Sequence, residues 1–373
     1  MKKALIVMVL IGMFAGAAAL AGVSETDALL QLLVQKGVLT TQDAAALRAE
    51  VAVQKQEEKD QQKEFQVVAA RPIQITGYTQ LRYRSDRTVT DTFDIRRARL
   101  RVRGGLGQGF DYMLQAEFAG SSAKLLDATL GWRLSDGFKL LAGQQKLPFS
   151  QENVQPDNAL ETINRSQVVE SLAARSGDVI GNQNGRDIGV TAGGSFTLFK
   201  SPSGLEYGLG VFNGAGINAS DNNERKDLVG RLVLHPFAGF SVGGSFYEGR
   251  YTLTSAPRRD DVRQRVGGEA AYVNGPFLFK GEYIHGYDAR VEKDGWYALA
   301  GYTVIPDKIH AVLKYDTFDP DHNLSKNEEN ITTVGVNWIF NKSALMQLNY
   351  EIKDETGKEI SNNAVTAQFQ LQF

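Results

Sequence analysis

The run RRARLRVR puts Arg97, Arg99, Arg101 and Arg103 at every second position of the chain. A guanidinium is permanently charged, and its planar fork of donors matches the oxygens of a carboxylate or another oxyanion. Four of them on one side of a single segment are chemistry for contacting anions, whether acidic side chains or small solutes. The residues between them, Ala98, Leu100 and Val102, are apolar, and a period of two is the period of a β-strand. One face of that strand is cationic and the other greasy. A soluble sandwich can solvate such a cationic face, so the rest of the chain has to say what the apolar face meets.

Other reactive chemistry is thin. The 373 residues include no Cys and four His, His235, His285, His310 and His322, which fall on separate predicted strands or loops. There is no H-E-x-x-H zinc signature. A hydrolase would need a histidine beside a serine, and His285, near a predicted outer end, is the one loose candidate; a lone histidine there is most often solvated. We expect no catalytic residue, no metal site and no cofactor. A formal charge of −2 gives none of the global basicity by which proteins hold nucleic acid.

The opening residues combine Lys2 and Lys3, an apolar run from Ala4 to Phe14 and the triplet Ala19-Leu20-Ala21. So short a run cannot span a bilayer, and 1–21 reads as a secretory signal peptide with the mature chain starting near Gly22. Residues 22–70 form a helical segment expected in the periplasm. Ser24 to Lys36 is helix-like, Gly37 is a stop, and Thr40 or Thr41 caps a second helix. Leu47 and Val51 supply a thin apolar stripe, which leaves a coiled coil and a solvated arm both open.

From residue 71 to residue 373 the text becomes short alternating segments. In AVTAQFQLQF, Val365, Ala367, Phe369, Leu371 and Phe373 alternate with Thr366, Gln368, Gln370 and Gln372, which is a strand with one dry and one wet face. Sixteen such segments can be counted, from 73–84 to 363–373. Every second connection is short, among them 105–108, 135–137, 274–276 and 306–307, while the others are longer. Even strand number, strands of about ten residues and alternating short and long connections predict an all-β fold, a 16-stranded antiparallel transmembrane β-barrel. After the signal no apolar run of about 18 residues recurs, so no helical span is expected. A soluble barrel would not need so many strands, because a ring of that size leaves a lumen too wide to fill.

The pieces FDIRRARLRVRGGLGQGFDYMLQAEF (93–118), LDATLGWRL (126–134), GQQKLPFSQEN (143–153), GRDIGV (185–190), GVFNGAGIN (210–218) and RLVLHP (231–236) resemble the phosphate-selective porin O/P family, in order over about residues 71–373. The resemblance implies a trimeric porin of the Gram-negative outer membrane, inserted by the outer-membrane assembly machinery through a terminal Phe373. It does not by itself imply phosphate.

With lipid outside, Ala98, Leu100 and Val102 face hydrocarbon and the four arginines face the lumen. The reverse would place cations in the bilayer at about 2–4 kcal/mol each near the midplane. Symmetrical closure of the turn at 105–109 pairs Arg103 with Asp111, Arg101 with Met113, Arg99 with Gln115 and Arg97 with Glu117. On that register Arg97 and Arg103 are structural, Arg99 and Arg101 are free anion contacts, and Arg82 adds charge near the outer end. The 148–184 segment, which carries Arg165 and Arg175 among five acids, is the candidate constriction loop. The expected function is a passive diffusion channel for small hydrophilic solutes, preferring anions such as phosphate. A weakly selective general pore is the alternative, and a plugged structural barrel or an outer-membrane hydrolase is the alternative of another class.

Overall fold

The computed structural model describes residues 30, 32–53, 73–86, 88–198, 204–253, 259–357 and 360–373. The signal reading at 1–21 and much of the 22–70 arm lie outside the described residues. The chain divides into two units, residues 1–70 and 71–373. In the first, residues 32–35 and 41–53 are helical. Gly37 adopts φ 69°, and the amides of Gly37 and Val38 donate back to Val34 and Leu33, so the first helical segment closes on its glycine. Thr40 and Asp43 cap the second reciprocally: the Thr40 amide donates to Asp43 Oδ2 (3.1 Å) and the Asp43 amide to Thr40 Oγ1 (3.1 Å).

The second unit holds sixteen strands: β1 (Gln74–Asp86), β2 (Val89–Gly107), β3 (Phe110–Glu117), β4 (Lys124–Ser135), β5 (Phe138–Lys146), β6 (Arg186–Thr197), β7 (Gly204–Phe212), β8 (Asp227–Phe237), β9 (Phe240–Leu253), β10 (Arg259–Asn274), β11 (Phe277–Asp288), β12 (Val291–Ile305), β13 (Ile309–Asp319), β14 (Glu329–Asn341), β15 (Ala344–Glu355) and β16 (Ala364–Gln372). They pair antiparallel in chain order and β1 closes on β16. The outward face is apolar and the inward face polar. On β16, Gln368 and Gln370 are 2 % and 3 % exposed, whereas Phe369 and Leu371 are 39 % and 51 % exposed. That inversion is what a lipid-facing barrel requires. Outward aromatic pairs band both ends, with Trp338 on Phe340 and Phe110 on Trp132 toward the short turns and Trp296 on Tyr315 toward the long loops.

The lumen is not uniformly wet, contrary to the polar interior that the alternation suggests. Phe149, Val168, Val169 and Leu172 of the long β5–β6 connection bury against inward Phe212, Val229, Ile284, Tyr297, Leu299 and Phe318. The short helix Gln167–Leu172 in that connection packs on β11, β12 and β13. Part of the barrel interior is therefore a hydrophobic core.

Outside the membrane-spanning strands, His322 sits between β13 and β14 with Nε2 2.8 Å from Asp294 Oδ1. The hydrogen bond to Asp294 raises the imidazole pKa above its ordinary value, aided by Asp319 and Glu292. A raised folded-state pKa means that the contact stabilises the outer loop fully below about pH 6.5 and is lost as pH rises through the folded value. Cleavage of the 320–328 loop by an added protease should be faster at pH 8 than at pH 6, and His322→Gln should abolish the difference.

Barrel closure depends on a close approach. The amides of Gly77 and Phe373 donate to each other's carbonyls at 3.0 Å, and a Cβ on Gly77 would lie 2.6 Å from both the Arg99 carbonyl oxygen and the Phe373 ring. The ring can turn aside; the backbone cannot. Gly77→Ala should destabilise the barrel by about 1–3 kcal/mol, read as a lower temperature for the loss of the compact band in electrophoresis.

Candidate functional site

The arginine row lies on β2, between β1 and β3. Arg97 stands opposite Gln80 and Ile95 opposite Leu81, so Arg96 is an extra residue in the strand. Asp94 and Arg97, three apart, would otherwise face opposite sides; the bulge turns both inward. Arg82, opposite Asp94, is clasped by it through Nε (2.9 Å) and a shorter Nη2 contact. The charge expected from Arg82 is thus matched at source.

The register with β3 differs from symmetrical closure. Arg99 faces Glu117, Arg101 faces Gln115, Arg103 faces Met113, and Gly105 faces Asp111. The turn is the pair Gln108-Gly109, at φ 49° and 83°, the positive-φ geometry that suits a two-residue hairpin. A Cβ on Gly109 would come 2.3 Å from the Arg133 carbonyl oxygen, so glycine is required there. An irregularity between Gly105 and Gly107 leaves Leu106 unpaired. Turn and bulge together displace the hairpin by two residues, which keeps every side chain on its face and changes every partner.

The roles along the row shift accordingly. Arg99 is not a free anion contact: it donates Nε to Glu117 Oε2 (2.7 Å) and Nη1 to Tyr78 Oη (2.9 Å), and pairs with Asp157. Arg97 does not meet Glu117; it donates to Gln80 Oε1 (2.8 Å) and lies 3.2 Å from Asp157 Oδ1. Arg103 does not meet Asp111, which pairs with Lys139 (2.8 Å) instead. Arg101 donates to Gln115 (2.7 Å) and Arg103 to Gln74 (2.8 Å). Among the described residues neither has a carboxylate within ion-pair distance.

Asp157 belongs to the 148–184 segment, which folds into the lumen. The Ile163 amide donates to Asn349 Oδ1 (2.7 Å), Lys314 Nζ to the Asn164 carbonyl (3.0 Å) and Gln347 Nε2 to the Leu160 carbonyl (3.0 Å). Arg165 and Arg175 are buried inside it. Arg165 pairs with Asp157 and donates to the carbonyls of Glu152 (3.0 Å) and Gln155 (2.9 Å). Arg175 donates to Asn153 Oδ1 (2.9 Å) and lies 4.0 Å from Asp157. A second clasp holds the far end: Arg263 donates Nε and Nη2 to Asp178 (3.1 and 2.7 Å), while Arg265, 4.0 Å away, pairs with Asp288. Arg263 and Arg265, two apart on β10, repeat the arrangement of Arg97 and Arg99. Sequence reasoning missed them, although DDVRQRVGG shows the same alternate spacing.

Open space remains along the β1–β8 side. Adjoining cavities of about 340, 290, 480 and 430 Å³ run from the arginine row to β8. The first two share Arg99 and Arg101, the next share Met113 and Leu141, and the last share Arg133 and Lys139. Nine cationic side chains line them against five carboxylate side chains, although the barrel as a whole is near neutral. Lys146, another residue not singled out from sequence, donates to the carbonyls of Asn153 (2.8 Å) and Gln155 (2.7 Å). Among the described residues it too lacks a carboxylate within ion-pair distance.

Residues 68–373 match the family phosphate-selective porin O and P. The chain belongs to this family. It is an outer-membrane porin. Among solved structures, an anion-selective porin from Comamonas acidovorans is 14% identical, with 81% of this chain and 99% of that one covered at a TM-score of 0.63. OmpF of Salmonella typhi, solved with daunomycin, is 11% identical over 81% and 97% at 0.61. The outer-membrane channel DcaP of Acinetobacter baumannii is 13% identical over 81% and 97% at 0.55. At these identities the likeness is one of fold. No curated protein matches the sequence significantly.

In this porin the two-residue register makes a stability prediction. Removing Arg99 takes from buried Glu117 the one cation paired with it among the described residues and from Asp157 one of its guanidinium partners, whereas removing Arg101 costs one hydrogen bond to Gln115. Arg99→Gln should destabilise by about 3–5 kcal/mol and Arg101→Gln by about 1 kcal/mol. Urea unfolding of the two variants in detergent checks the order.

Proposed function

We infer that this porin is a passive diffusion channel that favours small oxyanions such as phosphate over cations, and that it works as a homotrimer. The observation that carries the anion preference is the excess of nine cations over five carboxylates along the open side of the lumen. The family's description and the similarity of the fold to an anion-selective porin of Comamonas acidovorans support it. The 148–184 loop acts as the constriction, confining solutes to the wall that bears Arg101, Arg103 and Lys146.

The mechanism follows from spacing. Lumen-facing positions on one strand recur about every 7 Å, so an oxyanion can engage the next guanidinium before fully leaving the last. Conduction needs sites attractive enough to admit the ion and weak enough to release it. Arg101 and Arg103 meet that need because each spends one donor on a neutral glutamine and keeps others for solute. A weakly selective pore is the second reading, favoured by the neutralisation of Arg97 and Arg99 on Asp157.

Purified protein in a planar bilayer should give discrete conductance steps. In a potassium chloride gradient the reversal potential should indicate anion preference, and Arg101→Gln with Arg103→Gln should lower the anion-to-cation permeability ratio. A wild type that prefers cations, or a double variant with unchanged reversal potential, would remove the row from selectivity.

A further inference from the structure

The Asp157 carboxylate receives four guanidinium groups. Oδ1 faces Arg97 at 3.2 Å, Arg175 at 4.0 Å and Arg165, and Oδ2 faces Arg99. Two of these cations come from the barrel wall and two from the loop itself. The side chain is 1 % exposed. Its height is set by its own backbone, whose carbonyl accepts from Gln80 Nε2 at 3.4 Å. On one side it borders the cavity of about 290 Å³ that also holds Arg101 and Lys146.

We propose that Asp157 is a tethered counter-anion, occupying the arginine forks of β2 that a transiting oxyanion would otherwise engage, and so setting how strongly the channel prefers anions. The proposal rests on the channel reading above. A carboxylate and a tetrahedral oxyanion use the same paired-oxygen chemistry toward a guanidinium fork. An ion entering that cavity therefore reaches Arg101 and Lys146 directly and finds Arg97 and Arg99 already engaged. The acid converts what would be a deep, slow-releasing anion trap into a path of shallower contacts.

A merely mechanical role, pinning the loop, makes a different prediction, and Asp178 is its matched case. Asp178 is equally buried in the pair formed by Arg263 and Arg265, yet it lines none of the four cavities. The experiment compares wild type, Asp157→Asn and Asp178→Asn in planar bilayers, reading the reversal potential and the concentration of inorganic phosphate that halves the chloride current. Asparagine keeps the size and one acceptor while removing the charge. Asp157→Asn should raise the anion-to-cation ratio and lower the half-blocking phosphate concentration about tenfold, the scale of one freed charge-assisted contact. Asp178→Asn should leave both unchanged. If the single change prevents assembly, Asp157→Asn with Arg165→Gln relieves the excess of buried cations, and the same fall in half-blocking phosphate is expected of it. Unchanged block in the variant that assembles, or an equal response from Asp178→Asn, overturns the proposal. A wild type without conductance steps would instead overturn the channel reading.

Discussion

A ring of sixteen strands is too wide for side chains on opposite walls to touch, so what its lumen does depends on the segment that crosses it and on what holds that segment still. Two kinds of force hold residues 148–184. Phe149, Val168, Val169 and Leu172 bury against inward apolar residues of β7–β13, and burial of this kind is strong but indifferent to small displacements. Asp157 and Asp178 each enter a pair of arginines on β2 and β10, where fork geometry demands particular positions. The apolar contact keeps the loop inside, and each ion pair fixes only the stretch that bears it.

That division also shapes the field in the lumen. Most of the loop carboxylates are absorbed by neighbouring cations: Asp157 and Asp178 by arginines, Glu161 by Lys280 at 2.5 Å and Glu170 by Arg175 at 3.9 Å, while Glu152 accepts from Ser166 instead. A matched pair looks like a dipole from a few ångströms away, whereas an uncompensated cation acts over a Debye length of about 8 Å at physiological ionic strength. A neutral barrel can therefore present a positive path, because cations outnumber acids along the open side while the rest of the barrel carries the balance.

The strands were legible because lipid and water demand opposite chemistry at successive positions, and AVTAQFQLQF satisfies both. The register was not, because an even shift preserves that pattern completely; it was set by Gln108-Gly109 and by the unpaired Leu106. The length of 148–184 marked it as a segment with work to do inside the barrel. Its partners lie far along the chain, with Asp157 58 residues from Arg99 and Asp178 85 residues from Arg263. Periodicity carries no information over such separations. A readable sign was passed over: in WYALAGY on β12 both faces are apolar or small, which suits lipid outside and a packed loop within, not water.

The four arginines that began as one row end as two pairs, and the reason lies in the loop rather than in the strand. Arg97 and Arg99 are buried, Arg101 is half-buried and Arg103 is exposed. The boundary falls where it does because the turn Asp157–Ala159 is fixed at one height against β16: Gln370 Nε2 donates to the Asn158 carbonyl (3.1 Å), and Asn158 Nδ2 donates to Gln372 Oε1 (3.0 Å). Two residues along β2 correspond to about 7 Å. Were the loop seated that much nearer the short turns, Asp157 would neutralise Arg101 and release Arg97, with no change in composition. The positive path is thus a consequence of the register between loop and wall, and amides on β16, which carry no charge, determine which charges the solute meets.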